Sequence, residues 1–262
     1  MSPMSEEYWF NQLKINGAGY PDRVDDIKRI LVNARGYVFE KPVNEHVIVL
    51  FSGGMDSTVL VDMVLKQWKC KVILLYIRRD ARNQVYEEEA VDFFSAYYVK
   101  KYPGQVIETV KLDIQIPCRV NREYLDKNRQ HVMGLPMRNA IMWANAVTQA
   151  VYLCEKYNTT IRTVLVGSLR DDSDSPESGY LSVLSMCLHA CVCLGTWNFQ
   201  VNAPLMDNSF VVGGMFKKDL VKYCKQEGIP IEKTRSCFLE KRDPCGDCLA
   251  CKKRAAAFAE AK

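Results

Sequence analysis

Two regimes of apolar spacing alternate along the chain. His46–Phe51 (HVIVLF) and Lys71–Ile77 (KVILLYI) are unbroken apolar runs. Runs of that kind predict strands covered on both faces. Val106–Leu112 and Thr163–Ser168 predict a third and a fourth strand, and a late strand leads into Ala203. Between the strands the period lengthens. Asp56–Trp68 places Val59, Leu60, Met63, Val64 and Trp68 on one helical stripe. Helices are also predicted over Glu87–Lys101, Met137–Tyr157, a segment beyond Gly179, Phe216–Glu227 and, ahead of the first strand, Asp22–Ala34. Strands and helices alternating at these lengths predict an α/β fold with a doubly wound parallel sheet. The divisions expected are a helical extension over 1–45, a main domain over 46–215, and a C-terminal helix with a cysteine-rich segment over 216–262.

Composition narrows the partners. The 262 residues carry 35 Lys+Arg against 31 Asp+Glu, a net charge of +4. Such a balance does not demand a nucleic-acid partner. No apolar run reaches the roughly 18 residues of a membrane span, and MSPMSEEYWFNQLK lacks the basic flank and apolar core of a secretory signal. A cytoplasmic location is expected, with a homodimer as the default assembly. Eleven cysteines are many for a reducing compartment. Seven of them are scattered through apolar segments and read as small core residues. The three histidines, His46, His131 and His189, read as structural.

Candidate chemistry concentrates at two places. The first strand exits into Ser52-Gly53-Gly54-Met55-Asp56-Ser57-Thr58. Glycines let a backbone approach an anion closely, and the amides that open a helix are unpaired donors. The segment reads as a phosphate cradle, or as a tight turn with Asp56 or Ser57 capping the helix. It is neither a Walker loop, whose lysine is missing, nor the dinucleotide GxGxxG. The second place is Cys237, Cys245, Cys248 and Cys251. Four thiolates at such intervals suit a tetrahedral zinc site, and a CxxCxxC run also suits an iron–sulfur cluster.

Ser52-Gly53-Gly54-x-Asp56-Ser57 resembles the signature of the PP-loop ATP pyrophosphatases, and the cysteine tail resembles the QueC branch of that superfamily. The tail residues are Thr234-x-Ser236-Cys237 and Pro244-Cys245-Gly246-x-Cys248-x-x-Cys251-x-x-Arg254-x-x-Ala257-Phe258. Between the two, Pro136-x-Arg138-Asn139, Ala203-Pro204-Leu205 and Met215-x-Lys217 also look QueC-like. The resemblance implies an ATP-dependent ligase acting on 7-carboxy-7-deazaguanine. ATP adenylates the carboxylate with release of pyrophosphate, ammonia displaces AMP to give the amide, and a second ATP drives dehydration to the nitrile. By matching positions, Ser52, Gly53, Gly54, Asp56, Ser57 and Thr58 hold phosphate, Asp56 positions Mg2+, and Tyr76 and Asn139 line the nucleotide. Arg138 and Lys217 face developing charge, and the four cysteines hold Zn2+.

Two stretches depart from the QueC pattern. Where the family carries YGQRHxxE, Tyr76 is followed by IRRDARNQVYEEE, with Gln84 and Glu89 in the outer positions and Val85-Tyr86 replacing Arg-His. After the fourth strand Gly179-Tyr180 persists, but Leu181-Ser182-Val183 stand where the family has Pro-Asp-Cys. Asp171, Asp172 or Asp174 then supplies the carboxylate that pairs with the ring N–H and amino donors of a deazaguanine, with Tyr180 beside it. These losses lie on the substrate side. They leave open a protein amine as acceptor, an arrangement resembling components of bacterial antiphage systems. A sulfur-transferring tRNA-modifying enzyme, using Cys118 or Cys187, is a further class, and a zinc-stabilised nucleotide-binding scaffold is the non-enzymatic one.

Overall fold

The computed structural model describes residues 4–16, 21–173 and 175–261. Asp174 falls outside them, as does the side chain of Cys118. Two helices, α1 (Glu6–Asn16) and α2 (Pro21–Arg35), precede β1 (His46–Leu50). Then come α3 (Met55–Met63), β2 (Lys71–Arg78), α4 (Gln84–Lys101), β3 (Val106–Asp113), two short helices α5 (Pro117–Val120) and α6 (Lys127–Met133), and α7 (Arg138–Tyr157). The chain closes with β4 (Thr163–Leu165), α8 (Tyr180–Leu194), β5 (Gln200–Asn202), α9 (Lys217–Glu227) and α10 (Leu249–Glu260).

All five strands pair in parallel, in the order β3-β2-β1-β4-β5. The central strand, β1, sets Ile48 opposite both Ile73 and Val164. Because successive strand residues face opposite ways, Val47, Val49, Val72, Leu74 and Tyr76 enter one core cluster with α3, α4 and α9. Ile48, Ile73, Leu75 and Ile77 enter the other, with α7 and α8. The unbroken apolar runs therefore feed two cores at once, one on each face. Leu31 of α2 joins the second cluster and is fully buried. Arg35, at the end of α2, donates to the carbonyls of Trp197 and Phe199 at 3.2 and 2.7 Å.

Three of the differences from the sequence expectation concern α3, β4 and the tail. The helix after β1 does not stay α-helical to Trp68. It ends at Met63 and continues as a π-turn, Val64–Trp68, closed by Lys69 at φ 56°. The widened turn carries Trp68 onto Phe210, with ring centroids 4.3 Å apart. The fourth strand is shorter than Thr163–Ser168, because the chain leaves the sheet where Gly167 packs on Ser57. A Cβ on Gly167 would lie 3.2 Å from the Ser57 amide nitrogen. Finally, the cysteine segment continues into α10, which periodicity did not announce.

Candidate active site and metal centre

β1 is the strand at which the winding reverses: the chain moves outward through β2 and β3, then returns to β1's other side as β4 and β5. In a doubly wound sheet the crevice for ligands opens at that point, beyond the strands' carboxyl ends. Two loops meet there, the one leaving β1 with Ser52-Gly53-Gly54 and the one leaving β4 with Gly167.

The first loop is tightly braced. Gly53 adopts φ 67°, and a Cβ there would stand 2.7 Å from Ala90 Cβ and 2.9 Å from the α4 backbone. Only glycine fits so close an approach. The Gly53 carbonyl accepts from the Arg235 amide at 2.9 Å, tying the loop to the cysteine segment. Ser57 Oγ donates to the Gly54 carbonyl at 3.2 Å and accepts from the Ser52 amide at 3.3 Å. Neither Asp56 nor Ser57 caps α3; its N-cap, Gly54, has no side-chain hydrogen bond. The amides of the first turn thus have no carbonyl behind them, the usual condition at a helix start. Thr58 is fully buried, its Oγ1 enclosed without a partner.

Asp56 is the point of convergence. Its Oδ2 accepts from Lys217 Nζ, the first residue of α9, at 3.0 Å. Its Oδ1 is enclosed and has no partner. An orphaned carboxylate oxygen at a helix start beside unpaired amides fits a hard divalent cation such as magnesium, which binds through one or two carboxylates plus phosphate oxygens. Asp171 Oδ2 accepts from the Lys217 amide at 2.6 Å, and Asp172 Oδ2 from the Leu169 amide at 3.1 Å. Burial raises the Asp172 pKa, and the charge of Asp56 adds to this, while the Leu169 amide first and then Lys217 and Lys253 oppose it.

The four cysteines apart, the remaining predicted residues lie on α7, α8 and β2. Arg138 and Asn139 open α7 beside Glu177, a residue the sequence reading passed over. The Arg138 amide donates to Glu177 Oε1 at 3.0 Å, and Asn139 Nδ2 donates to the Glu177 carbonyl at 3.1 Å and Ser178 Oγ at 2.9 Å. Burial raises the Glu177 pKa, against the pull of Arg138. Tyr180 opens α8 with its hydroxyl pushed up by burial and by Asp207, and Lys28 lies 5.8 Å from its ring centroid. Tyr76 is 1% exposed, its hydroxyl donating to Glu87 Oε2 at 3.2 Å. Glu87 also receives both Arg79 guanidinium nitrogens at 2.9 Å and Asn83 Nδ2 at 3.0 Å. Gln84, an outer member of the altered motif, accepts from the Arg79 and Asp80 amides. Tyr86 lies under Arg235, 4.7 Å from ring centroid to guanidinium carbon. Cys187 is buried within the second core cluster, 3.5 Å from Arg35 Nη2.

The four C-terminal cysteines come together. Their sulfurs all lie within 4.8 Å of one another, and those of Cys245 and Cys251 are 3.9 Å apart. Thiolates bound tetrahedrally at 2.3 Å stand about 3.8 Å apart, so the spacing suits a single ion. The Cys245 amide points at Cys237 Sγ, 3.5 Å away, and the Cys248 amide at Cys245 Sγ, 3.4 Å away. Backbone donors of Cys248 and Asp247 bring the Cys245 thiol down to about 6. The flanking cations do not all serve the sulfurs. Arg254 donates to Thr234 Oγ1 at 2.7 Å, Ser236 Oγ at 3.3 Å and the Ile231 carbonyl at 2.7 Å. Arg242 pairs with Glu89 at 3.1 Å. Thr234 and Ser236 of the tail motif are thus the seat of Arg254, which holds α10 to the segment that grips Gly53.

A five-stranded parallel sheet, a glycine-braced loop at the switch point and a four-cysteine tail define a PP-loop α/β protein whose C-terminal cluster fits a metal-binding segment. Within that class the chain belongs to the QueC family: the model described as "Queuosine biosynthesis protein QueC" matches residues 46–262. It is similar to the 7-cyano-7-deazaguanine synthase of Aquifex aeolicus, 26% identical over 221 residues that cover 80% of this chain and 95% of that protein. The synthase of a Sulfurihydrogenibium species is 27% identical over 235 residues, covering 82% of this chain and 95% of that protein. Among solved structures, the NMN synthetase of Francisella tularensis covers 92% of this chain and 86% of its own, at 16% identity and a TM-score of 0.43. A likeness that loose carries no functional argument. Family membership implies the use of ATP. Among the described residues no helix is long and apolar enough to cross a membrane.

Proposed function

We propose that the chain is an AMP-forming ligase that adenylates 7-carboxy-7-deazaguanine and couples it to an amine. The observation that carries the reading is Asp56, with one oxygen held by Lys217 and the other enclosed and unpaired where α3 begins. A substrate carboxylate oxygen attacks the α-phosphorus, the bond to the bridging oxygen breaks, and pyrophosphate leaves. The amine then attacks the acyl carbon, AMP departs and a proton passes to solvent, giving the amide. Where the amine is ammonia, a second ATP adenylates the amide oxygen with release of pyrophosphate, and loss of AMP together with the two protons on nitrogen gives the nitrile.

In this reading the Ser52–Thr58 segment grips the departing pyrophosphate, with Gly53 and Gly54 admitting the phosphates and Ser57 keeping the loop taut. Asp56 holds Mg2+, which when bound screens the phosphate charge. Lys217 is a fixed cation near the bond that breaks, a preorganised charge of the kind that dominates such chemistry. Arg138, its amide held by Glu177 and its Nε by Asn139 Oδ1 at 3.2 Å, addresses the carboxylate end of the substrate. Asp171 and Asp172 address its N–H donors. The four cysteines hold Zn2+, which staples the tail behind Gly53 and takes no part in bond making.

The test is incubation with magnesium, ATP, 7-carboxy-7-deazaguanine and ammonium, reading pyrophosphate, AMP and product mass. The expected result is acid-dependent pyrophosphate with the amide or nitrile mass. No pyrophosphate above the acid-free control overturns the reading.

A further inference from the structure

The two helices that carry Asp56 and Lys217 are joined at more than that one pair. Tyr223 of α9 donates its hydroxyl to Asp62 Oδ2 of α3 at 2.9 Å. Lys66, in the π-turn that continues α3, pairs with Glu227 of α9 at 2.6 Å. Each of the three contacts links residues 161 apart in sequence. Asp56 to Asp62 and Lys217 to Tyr223 are equal steps, so the helices run parallel and in a common register. Six residues of helix span about 9 Å, which is the lever between the middle contact and the charged pair at the site.

The three contacts are not equivalent. The outermost is exposed, Lys66 at 46%, and an exposed pair of that kind fixes little. The middle one is buried. Asp62 is 0% exposed, and its other oxygen accepts from Lys101 Nζ at 2.8 Å and Tyr102 Oη at 3.0 Å, both at the end of α4. Asp62 is therefore fixed from α4 before it meets α9. A buried carboxylate with its partners in place has one favourable arrangement, since sliding α9 by a residue leaves Oδ2 without its donor while Oδ1 stays held from α4.

We propose that the Asp62–Tyr223 contact is the register lock of the active site: it positions Lys217 against Asp56 without touching substrate. The inference deepens the adenylation reading and rests on it for its kinetic arm. Tyr223 is a positioning residue, and its hydroxyl is the part that matters.

The test compares Tyr223→Phe, which deletes only that hydroxyl, with Glu227→Gln, which breaks only the exposed contact. The first readout needs no activity. Limited acylation with an amine-reactive ester, followed by peptide mass spectrometry, reports Lys217 labelling relative to Lys218 and Lys222 on the same helix. Tyr223→Phe raises that ratio several-fold, toward the ratio in Asp56→Asn, and Glu227→Gln leaves it at the wild-type value. The second readout is pyrophosphate release. Tyr223→Phe lowers kcat roughly 10- to 100-fold, the scale of an ångström-sized misplacement, with KM for ATP within about twofold. A Tyr223→Phe protein with a lowered Tm but wild-type labelling ratio and kcat overturns the proposal, because a merely structural tyrosine predicts that pattern. If the wild type releases no pyrophosphate, the adenylation reading fails, and the labelling ratio alone decides the register lock.

Discussion

Single side chains at the β1 exit have sharply different tolerances. Asp56→Asn keeps the size of the side chain and removes the charge that both Lys217 and a divalent cation need. Pyrophosphate release should fall at least ~100-fold, the usual scale for losing one preorganised electrostatic contact, with the fold intact by circular dichroism. Gly53→Ala does the opposite. Its Cβ would press on Ala90 at 2.7 Å while the backbone stays at φ 67°. Overpacking of this kind costs about 1–3 kcal/mol, readable as a lower urea midpoint. Asp172 sets a pH dependence. Its folded pKa is raised by burial and by Asp56, so the folded state holds its proton more tightly than the unfolded chain. The related stability is full below about pH 4, where a free aspartate titrates, and is lost as pH rises through the folded value. Asp172→Asn cannot lose a proton, so as pH rises above about 4 its urea midpoint should gain on the wild type's. A difference that stays flat across that range would remove burial as the controlling force at Asp172.

At the scale of elements, much of the architecture was legible. An unbroken apolar strand has only one comfortable place, between two helical layers, and β1 and β2 both occupy it. What the period could not reveal was how a helix ends. The stripe from Val59 to Trp68 is equally consistent with α and with a closing π-turn, and the choice depends on where Phe210 waits for Trp68. Glu177 escaped notice because it sits in a polar run, where one carboxylate resembles the next. Its burial and its hold on Arg138 and Asn139 are created by the approach of α7. Asp62 escaped for the opposite reason: inside an apolar helix a lone carboxylate looked incidental, and only the end of α4 and α9 supply its three donors. Removing it should be severe. Asp62→Ala strips the partly exposed Lys101 of its counter-charge and leaves the Tyr102 and Tyr223 hydroxyls without their acceptor, a loss that typically costs about 1–3 kcal/mol for each buried group left unpaired. The expected outcome is a lower thermal midpoint accompanied by loss of α9 amide protection in hydrogen exchange.

Across the whole molecule, the tail and the site form one mechanical unit. Arg235 binds the Gly53 carbonyl, Arg254 binds Thr234 and Ser236, and the cysteine cluster anchors both stretches. If Zn2+ holds the cluster, a chelator strong enough to strip it should lower Tm by several degrees and slow pyrophosphate release together, and added zinc should restore both. Loss of activity with an unchanged Tm would instead give the metal a chemical role.

The sequence by itself determined the layers, the parallel sheet and the two places where chemistry gathers, because these follow from spacing: apolar period, glycine at a strand exit, thiols at ligand intervals. Only the tertiary structure decided which charges face one another. Asp56 and Lys217 are 161 residues apart, and no local pattern encodes a meeting at that distance. It is fixed by two helices packed in register on one face of the sheet. Tyr76 shows the converse. At the end of β2 it lay within reach of the crevice by topology, yet the pleat turns it into the core, where Glu87 receives its hydroxyl.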